Sequence, residues 1–406
     1  MLRGLGVFSA NSLFTGLGAV LQLLASLSLV ELYELEAIGS FGLIVAWSGL
    51  LAAVAHAKLP TLALTAATDA AADSLLRTGL LLSGLVVAGV SLALLAAAYA
   101  IGVPAFGPLE LAALATLPLA LAWQHAGVAR LQRCGRLTHL GLARLAKGFV
   151  LLAVLVYLRH GEAPALCIAY ACGHAVVAAF GLAGLRPLGA LSPLRGVAAS
   201  AGSLSGASLA LNVSEAARQS LLASWLPPPV YGAYVYLRRL GEGAQSWPGQ
   251  VTADRLIAGL SGRVIRFDWI GLRALVRRHA LPVSVTAAGA VAAGAAFLWL
   301  RGRAIPGGWW LVLAVSLEVW LLFAVSYRRM LPVFLGLADR QWRLELPLAA
   351  LVVALYAAAA ALSEFRVGIL LTLQLGAGVL GLIAYRRLLS CTRATPASRT
   401  VPVATE

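Results

Sequence analysis

Apolar stretches recur along the whole chain, each long enough to be a membrane helix, with short polar breaks between them. A helix crossing the hydrocarbon needs roughly 20 apolar residues at about 1.5 Å rise per residue. On that measure the pattern predicts helices over about residues 7–29, 38–57, 78–101, 108–127, 145–159, 164–185, 199–223, 231–252, 279–300, 307–327, 344–362 and 367–385. The fifth of these is short for a span. The predicted fold class is all-α: a polytopic membrane protein with about 12 transmembrane helices.

Composition supports this. Hydrophobic residues make up 61% of the 406 and charged residues 12%, where soluble domains carry roughly a quarter charged. One soluble core could not hide that much apolar surface, whereas lipid can face it directly. The net charge of +15 would suggest nucleic-acid binding in a soluble chain. Here the basic residues sit in short clusters between apolar runs, so no nucleic-acid partner is expected.

The placement of those clusters sets the orientation. With the N-terminus inside, 24 Lys and Arg fall in inside connectors and four (Arg159, Arg301, Arg303 and Arg366) in outside ones. The positive-inside rule gives this alternation and puts both termini in the cytoplasm. The first outside connector, Glu31 to Glu36, is acidic. Outside connectors are too short for an extracytoplasmic catalytic domain. Inside connectors over about 58–77 and 253–278 are longer, and the second alternates apolar and basic residues as cytoplasmic surface helices do. The opening Met1-Leu2-Arg3 runs into apolar sequence without a cleavage pattern, so the first helix is expected to be retained. Cys134, Cys167, Cys172 and Cys391 form no C-x-x-C, and no histidine pairs with a carboxylate at metal-ligand spacing. No cofactor or metal is expected.

Two segments hint at duplication. Ser9-Ala10-Asn11-Ser12-Leu13 and Ser205-Gly206-Ala207-Ser208-Leu209 each open a long helix, and Phe41-Gly42 and Tyr231-Gly232 open the helix after it. Six helices per repeat gives a parallel repeat, two lobes related about the membrane normal. The expected division is an N-terminal six-helix lobe over 1–195, a C-terminal lobe over 196–388 containing the 253–278 connector, and a disordered cytoplasmic tail over 389–406.

Charges at the bilayer centre cost about 2.5–3.5 kcal/mol each on insertion scales, so they mark function or firm pairing. The predicted layout buries six in helix interiors: Glu215 and Arg218 in the seventh helix, Arg238, Arg239 and Glu242 in the eighth, and Glu318 in the tenth. The first six helices hold none in their interiors. The first five lie about 8–17 Å below the outer ends of a helical hairpin, so they can meet. Their sum is +1. Either they form a self-compensated network joining two helices, or they form a cationic floor for an anionic ligand, to which arginine is suited. Glu318 has no partner at i±3 or i±4. As a lone buried carboxylate it is expected to have a raised pKa. It is then either a neutral spectator or the ion-coupling residue, with a proton or sodium as the ion. Asn11, with Ser12, Thr15, Gln22 and Ser26, lines the first helix with groups able to bind a hydroxyl-rich ligand or to bond between helices.

Three stretches carry a family resemblance. They are Ile38 to Ala52 (IGSFGLIVAWSGLLA), Leu131 to Leu145 (LQRCGRLTHLGLARL) and Tyr231 to Leu240 (YGAYVYLRRL), the last followed by the basic connector. In these the chain resembles the polysaccharide exporters, or O-antigen-type lipid-linked oligosaccharide flippases, of the superfamily that includes the MATE exporters. The resemblance implies two lobes rocking between inward-facing and outward-facing forms in the bacterial cytoplasmic (inner) membrane. It implies a polyprenyl-diphosphate-linked glycan as cargo, with Arg218, Arg238 and Arg239 available to the diphosphate and Glu215, Glu242 and Asn11 beside them. Membrane lipids, a glycan polymerase and other export machinery are the partners it implies. The first helix lacks the carboxylate that MATE exporters often use for cation coupling. The competing readings are a drug or small-metabolite antiporter of the same architecture, a membrane glycan polymerase or ligase, and a non-transporting scaffold.

Overall fold

A computed structural model describes residues 10–66, 68–101, 108–185, 191–192, 194–260, 269–301, 305, 307–334, 338–360, 373, 376–385 and 387. The described residues form helices in this order: α1 (Ala10–Leu32), α2 (Leu35–Ala55), α3 (Leu59–Thr65), α4 (Asp69–Ile101), α5 (Pro108–Arg133), α6 (Leu137–Tyr157), α7 (Ala163–Leu182), α8 (Leu194–Trp225), α9 (Pro228–Leu260), α10 (Trp269–Leu300), α11 (Gly308–Phe334) and α12 (Ala338–Ala360). A last helix, α13 (Gly376–Tyr385), lies in the twelfth predicted span. Every predicted span has its helix. Among the described residues, α1, α2 and α4–α7 are each long and apolar enough to cross a bilayer.

The boundaries differ from expectation in three places. Helix α6 begins at Leu137, not near 145, so Arg144 and Lys147 are inside a helix. The 58–77 connector holds the short helix α3 and the first turns of α4. The 253–278 connector is helical at both ends as direct extensions of α9 and α10, and residues 261–268 lie outside the described residues. The predicted tail over 389–406 also lies outside them.

Apolar side chains face outward, as lipid solvation requires. Leu85, Leu92 and Phe149 are exposed on helix flanks. Tyr99, Tyr157, Trp299, Trp309 and Trp310 are exposed at helix ends that the charge pattern puts outside, forming the aromatic belt that amphipathic rings make at an interface.

Helix contacts fall into two groups. In the first half α5 packs on α7, α1 on α6, and α6 on α7; in the second α12 packs on α8, and α10 and α11 on α9. The groups meet where α2 packs on α8 and α9 and α1 packs on α9. One apolar core crosses this seam, with Leu29, Ile38 and Phe41 from one side and Leu222, Tyr234 and Leu237 from the other. The two aromatic-glycine pairs noted in the sequence both lie there. A Cβ at Gly232 would stand 1.9 Å from the Leu35 carbonyl oxygen, and one at Gly42 would stand 2.6 Å from Val235 Cγ2. Only glycine at 232 lets the α2 and α9 backbones come so close, and only glycine at 42 leaves room for the Val235 side chain.

Gly232→Ala should therefore destabilise the purified protein in detergent by about 1–3 kcal/mol, the usual cost of overpacking. Gly84→Ala is the matched control, because nothing lies within 4 Å of the added carbon. Equal melting temperatures for the two variants would show that this approach does not hold the seam.

Candidate functional site

The six charges predicted inside the membrane gather into one cluster, with α8, α9 and α11 each contributing. Arg218 pairs with Glu215 one turn away at 2.9 Å and with Glu318 on α11 at 2.8 Å. Arg238 pairs with Glu215, with Glu242 at 2.9 Å and with Glu318 at 3.4 Å. Arg239 reaches Glu242 at 3.7 Å. Tyr234 joins the network by accepting from Arg218 Nη1 at 2.9 Å and donating to Glu318 Oε2 at 2.7 Å. Gln219 donates to Glu215 at 2.9 Å and accepts from the Tyr231 hydroxyl at 3.0 Å.

This corrects the expectation for Glu318. It is not solitary: Arg218 and Arg238 reach it from two other helices. The search at i±3 and i±4 sees only a residue's own helix. With Glu318 included, three arginines meet three glutamates and the formal sum is zero, not +1. The cluster is thus self-compensated and not a bare cationic floor. Compensation is what makes it tolerable, since buried ions are stable only when their partners replace water.

Arg239 is the member directed away. Its guanidinium lies 5.3 Å from the Phe41 ring centroid and 5.5 Å from that of Tyr170, so an α9 cation stacks on α2 and α7 of the other half. Asn11 does not join the cluster. It accepts from Thr15 Oγ1 at 3.3 Å and faces Gly141 on α6.

Two cavities flank the network. One of about 210 Å³ lies on the seam, lined by Ala46 and Gly49 of α2, Asn212 of α8, and Arg238, Arg239 and Glu242 of α9. The other, of about 320 Å³, lies within the second half, lined by Arg218, Glu318, Glu345 and Tyr356 with Leu348 and Val352 as apolar wall. Glu215 and Arg238 line both, so the pair is a shared wall.

Sequence reasoning missed several polar groups. Tyr234 was legible four residues before Arg238, but its hydroxyl partner Glu318 is distant in sequence. The first half also holds helical charges, contrary to expectation. Arg144 of α6 donates from Nη2 to Asp254 Oδ1 of α9 at 3.0 Å and pairs through Nη1 with Asp254 Oδ2, while Gln132 donates to Asp254 Oδ1 at 2.9 Å. Asp254 is 1% exposed, and the pair spans the seam at its cytoplasmic side. Lys147 lies 3.3 Å from His174 Nδ1, which also meets Gln124 Oε1. Starting α6 eight residues late had counted Arg144 and Lys147 with the inside connector.

Glu318→Gln should lower stability by about 3–5 kcal/mol, the cost of removing one partner from a buried ion network. Chemical denaturation in detergent micelles measures it. A loss below 1 kcal/mol would show the pairing to be solvated and weak.

No family model and no curated protein matches the chain. Solved structures do. A multidrug resistance MATE family transporter of the MOP superfamily in its outward-facing conformation superposes with a TM-score of 0.59 at 14% identity, covering 95% of this chain and 96% of that one. A MATE protein in complex with MaL6 gives 0.58 at 15% identity with the same coverage. An inward-facing MATE family transporter gives 0.50 at 15% identity, covering 97% and 98%. The chain is a multi-pass membrane protein with the fold of the MATE family transporters.

Proposed function

We propose that the chain is a membrane transporter, not an enzyme, and that its halves rock about the α1/α2–α8/α9 seam to carry a small amphipathic solute across the bilayer. The observation that carries this is the Glu215–Arg238 pair, which forms the wall common to the two cavities. Packing alone does not call for ions at that depth, because apolar residues of similar volume usually serve as well or better. Charges bordering intramembrane cavities mark a solute path. The cavity of the second half suits a cationic amphiphile. Glu215, Glu318 and Glu345 outnumber Arg218 and Arg238 by one charge, and Tyr356, Leu348 and Val352 offer apolar surface. At about 320 Å³ it is at the small-molecule end of ligand pockets. A proton or sodium gradient drives the cycle in this reading. Glu318 takes part only when opening of the network frees it from Arg218 and Arg238.

One observation favours a second reading. Arg239 faces the seam cavity and its carboxylate contact is long, 3.7 Å, which leaves a guanidinium for a phosphate. In that reading the cargo is a polyprenyl-diphosphate-linked oligosaccharide, flipped outward across the bacterial inner membrane for surface polysaccharide synthesis, with a glycan polymerase downstream.

Proteoliposomes separate the two. Gradient-driven uptake of a cationic dye is the expected result. E215Q/R238Q, which removes the shared pair without stranding either charge, should reduce it by roughly tenfold, the equivalent of about one lost charge-assisted hydrogen bond. Flipping of a polyprenyl diphosphate oligosaccharide without dye uptake, abolished by Arg239→Ala, would establish the second reading instead. Neither activity in a folded, oriented preparation would remove the transport account.

A further inference from the structure

A third cavity, of about 560 Å³, opens at the cytoplasmic ends of α5, α6 and α7, away from the charged cluster. We propose that it binds the phosphate headgroup of an anionic phospholipid of the cytoplasmic leaflet. The site is independent of the transported cargo.

Its lining divides by chemistry. Arg130, Arg136 and His139 supply basic groups, Leu131, Ala179 and Phe180 supply apolar wall, and no carboxylate is among the lining residues. Arg130 is already used. Its Nη1 donates to the carbonyls of Gly181 at 3.2 Å and Ala183 at 2.7 Å, which fixes the end of α7 as one wall. Asp73 lies 3.5 Å from Arg130 Nε and offsets its charge. Arg136 and His139 are exposed and form no ion pair among the described residues. Arg136 carries the positive potential that the cavity presents, and the His139 imidazole adds a hydrogen-bonding group beside it.

Local backbone puts them there. Gly135 adopts a φ of +65°, which lets the chain turn from α5 into α6 within three residues. Arg136 is the cap residue of α6, and His139 follows in its first turn. Phe180, 42% exposed on α7, continues the wall toward the lipid-facing flank. A headgroup at Arg136 and His139 can thus leave an acyl chain along Phe180 and Ala179. Basic pockets between transmembrane helices on the cytoplasmic side are suited to anionic headgroups in this way. The clustering of Arg130, Arg133 and Arg136 on this connector places it at that surface by the positive-inside rule.

The test uses the full chain in nonionic detergent, with phosphatidylglycerol or phosphatidylcholine added, and counts retained lipid by native mass spectrometry. Phosphatidylglycerol should be retained preferentially. R136A/H139A should reduce that preference by roughly fivefold or more, since one arginine near an anionic surface contributes about fivefold. Arg343→Ala, an exposed arginine on α12, should leave it unchanged. A second readout uses Cys134, an exposed free thiol in the cavity lining. Maleimide should modify it more slowly in phosphatidylglycerol nanodiscs than in phosphatidylcholine nanodiscs. Equal retention of the two lipids, or an unchanged preference in R136A/H139A, overturns the proposal. So does displacement by millimolar inorganic phosphate, which would make the ligand a free anion. Displacement by stoichiometric polyprenyl diphosphate would assign the pocket to the cargo of the second reading and equally overturn it.

Discussion

Arg218 sits 6% exposed inside a membrane protein, and the second half of the molecule is arranged around that fact. An unpaired guanidinium at that depth would be costly, so carboxylates must meet it. Glu215 does so from the same helix and Glu318 from α11. Tyr234 fills the remaining gap by bonding to both Arg218 and Glu318. The requirement sets the relative register of α8, α9 and α11. Once α9 is held, Arg238 closes the network and Arg239, one residue on, points across the seam onto Phe41 and Tyr170. The electrostatics of one half thus fix a contact with the other.

The seam has two kinds of contact at its two ends. Toward the outside, Gly232 and Leu35 bring backbones together amid apolar side chains. Toward the cytoplasm, Arg144 and Asp254 join α6 to α9 with Gln132 as a third partner. Apolar surfaces separate at a cost proportional to area. A charge pair separates readily where water can enter to solvate both ions, and resists separation where it cannot. The fold therefore carries a water-sensitive contact on one face and a lipid-like contact on the other. That difference is what the proposed rocking of two halves requires.

Much of this was legible in the sequence, and the limits have physical causes. Helices of this kind are set by local apolar length, so each of the twelve predicted stretches holds a described helix. The start of α6 was misplaced because Arg144 and Lys147 interrupt the apolar run, and the partners that make them tolerable, Asp254 and His174, are remote in sequence. The same distance hid the role of Glu318. Glu215, Arg218, Arg238, Arg239 and Glu242 were found together because helical spacing and a hairpin relate them. The Phe41-Gly42 and Tyr231-Gly232 pairs were visible in the sequence, but their packing against the opposing helix was not, since sequence does not show which faces meet. Cargo is the least legible feature: the compensated cluster fits a cationic amphiphile, and Arg239 alone fits a phosphate.

Side-specific accessibility of the seam cavity tests the central claim most directly. A single cysteine at Ala46, in a chain freed of its native cysteines and reconstituted in one orientation, is exposed to a membrane-impermeant maleimide from either face. The account predicts modification from both faces, with the balance shifting when the ion gradient is reversed. Modification from one face only under every gradient would contradict alternating access and leave a static membrane bundle.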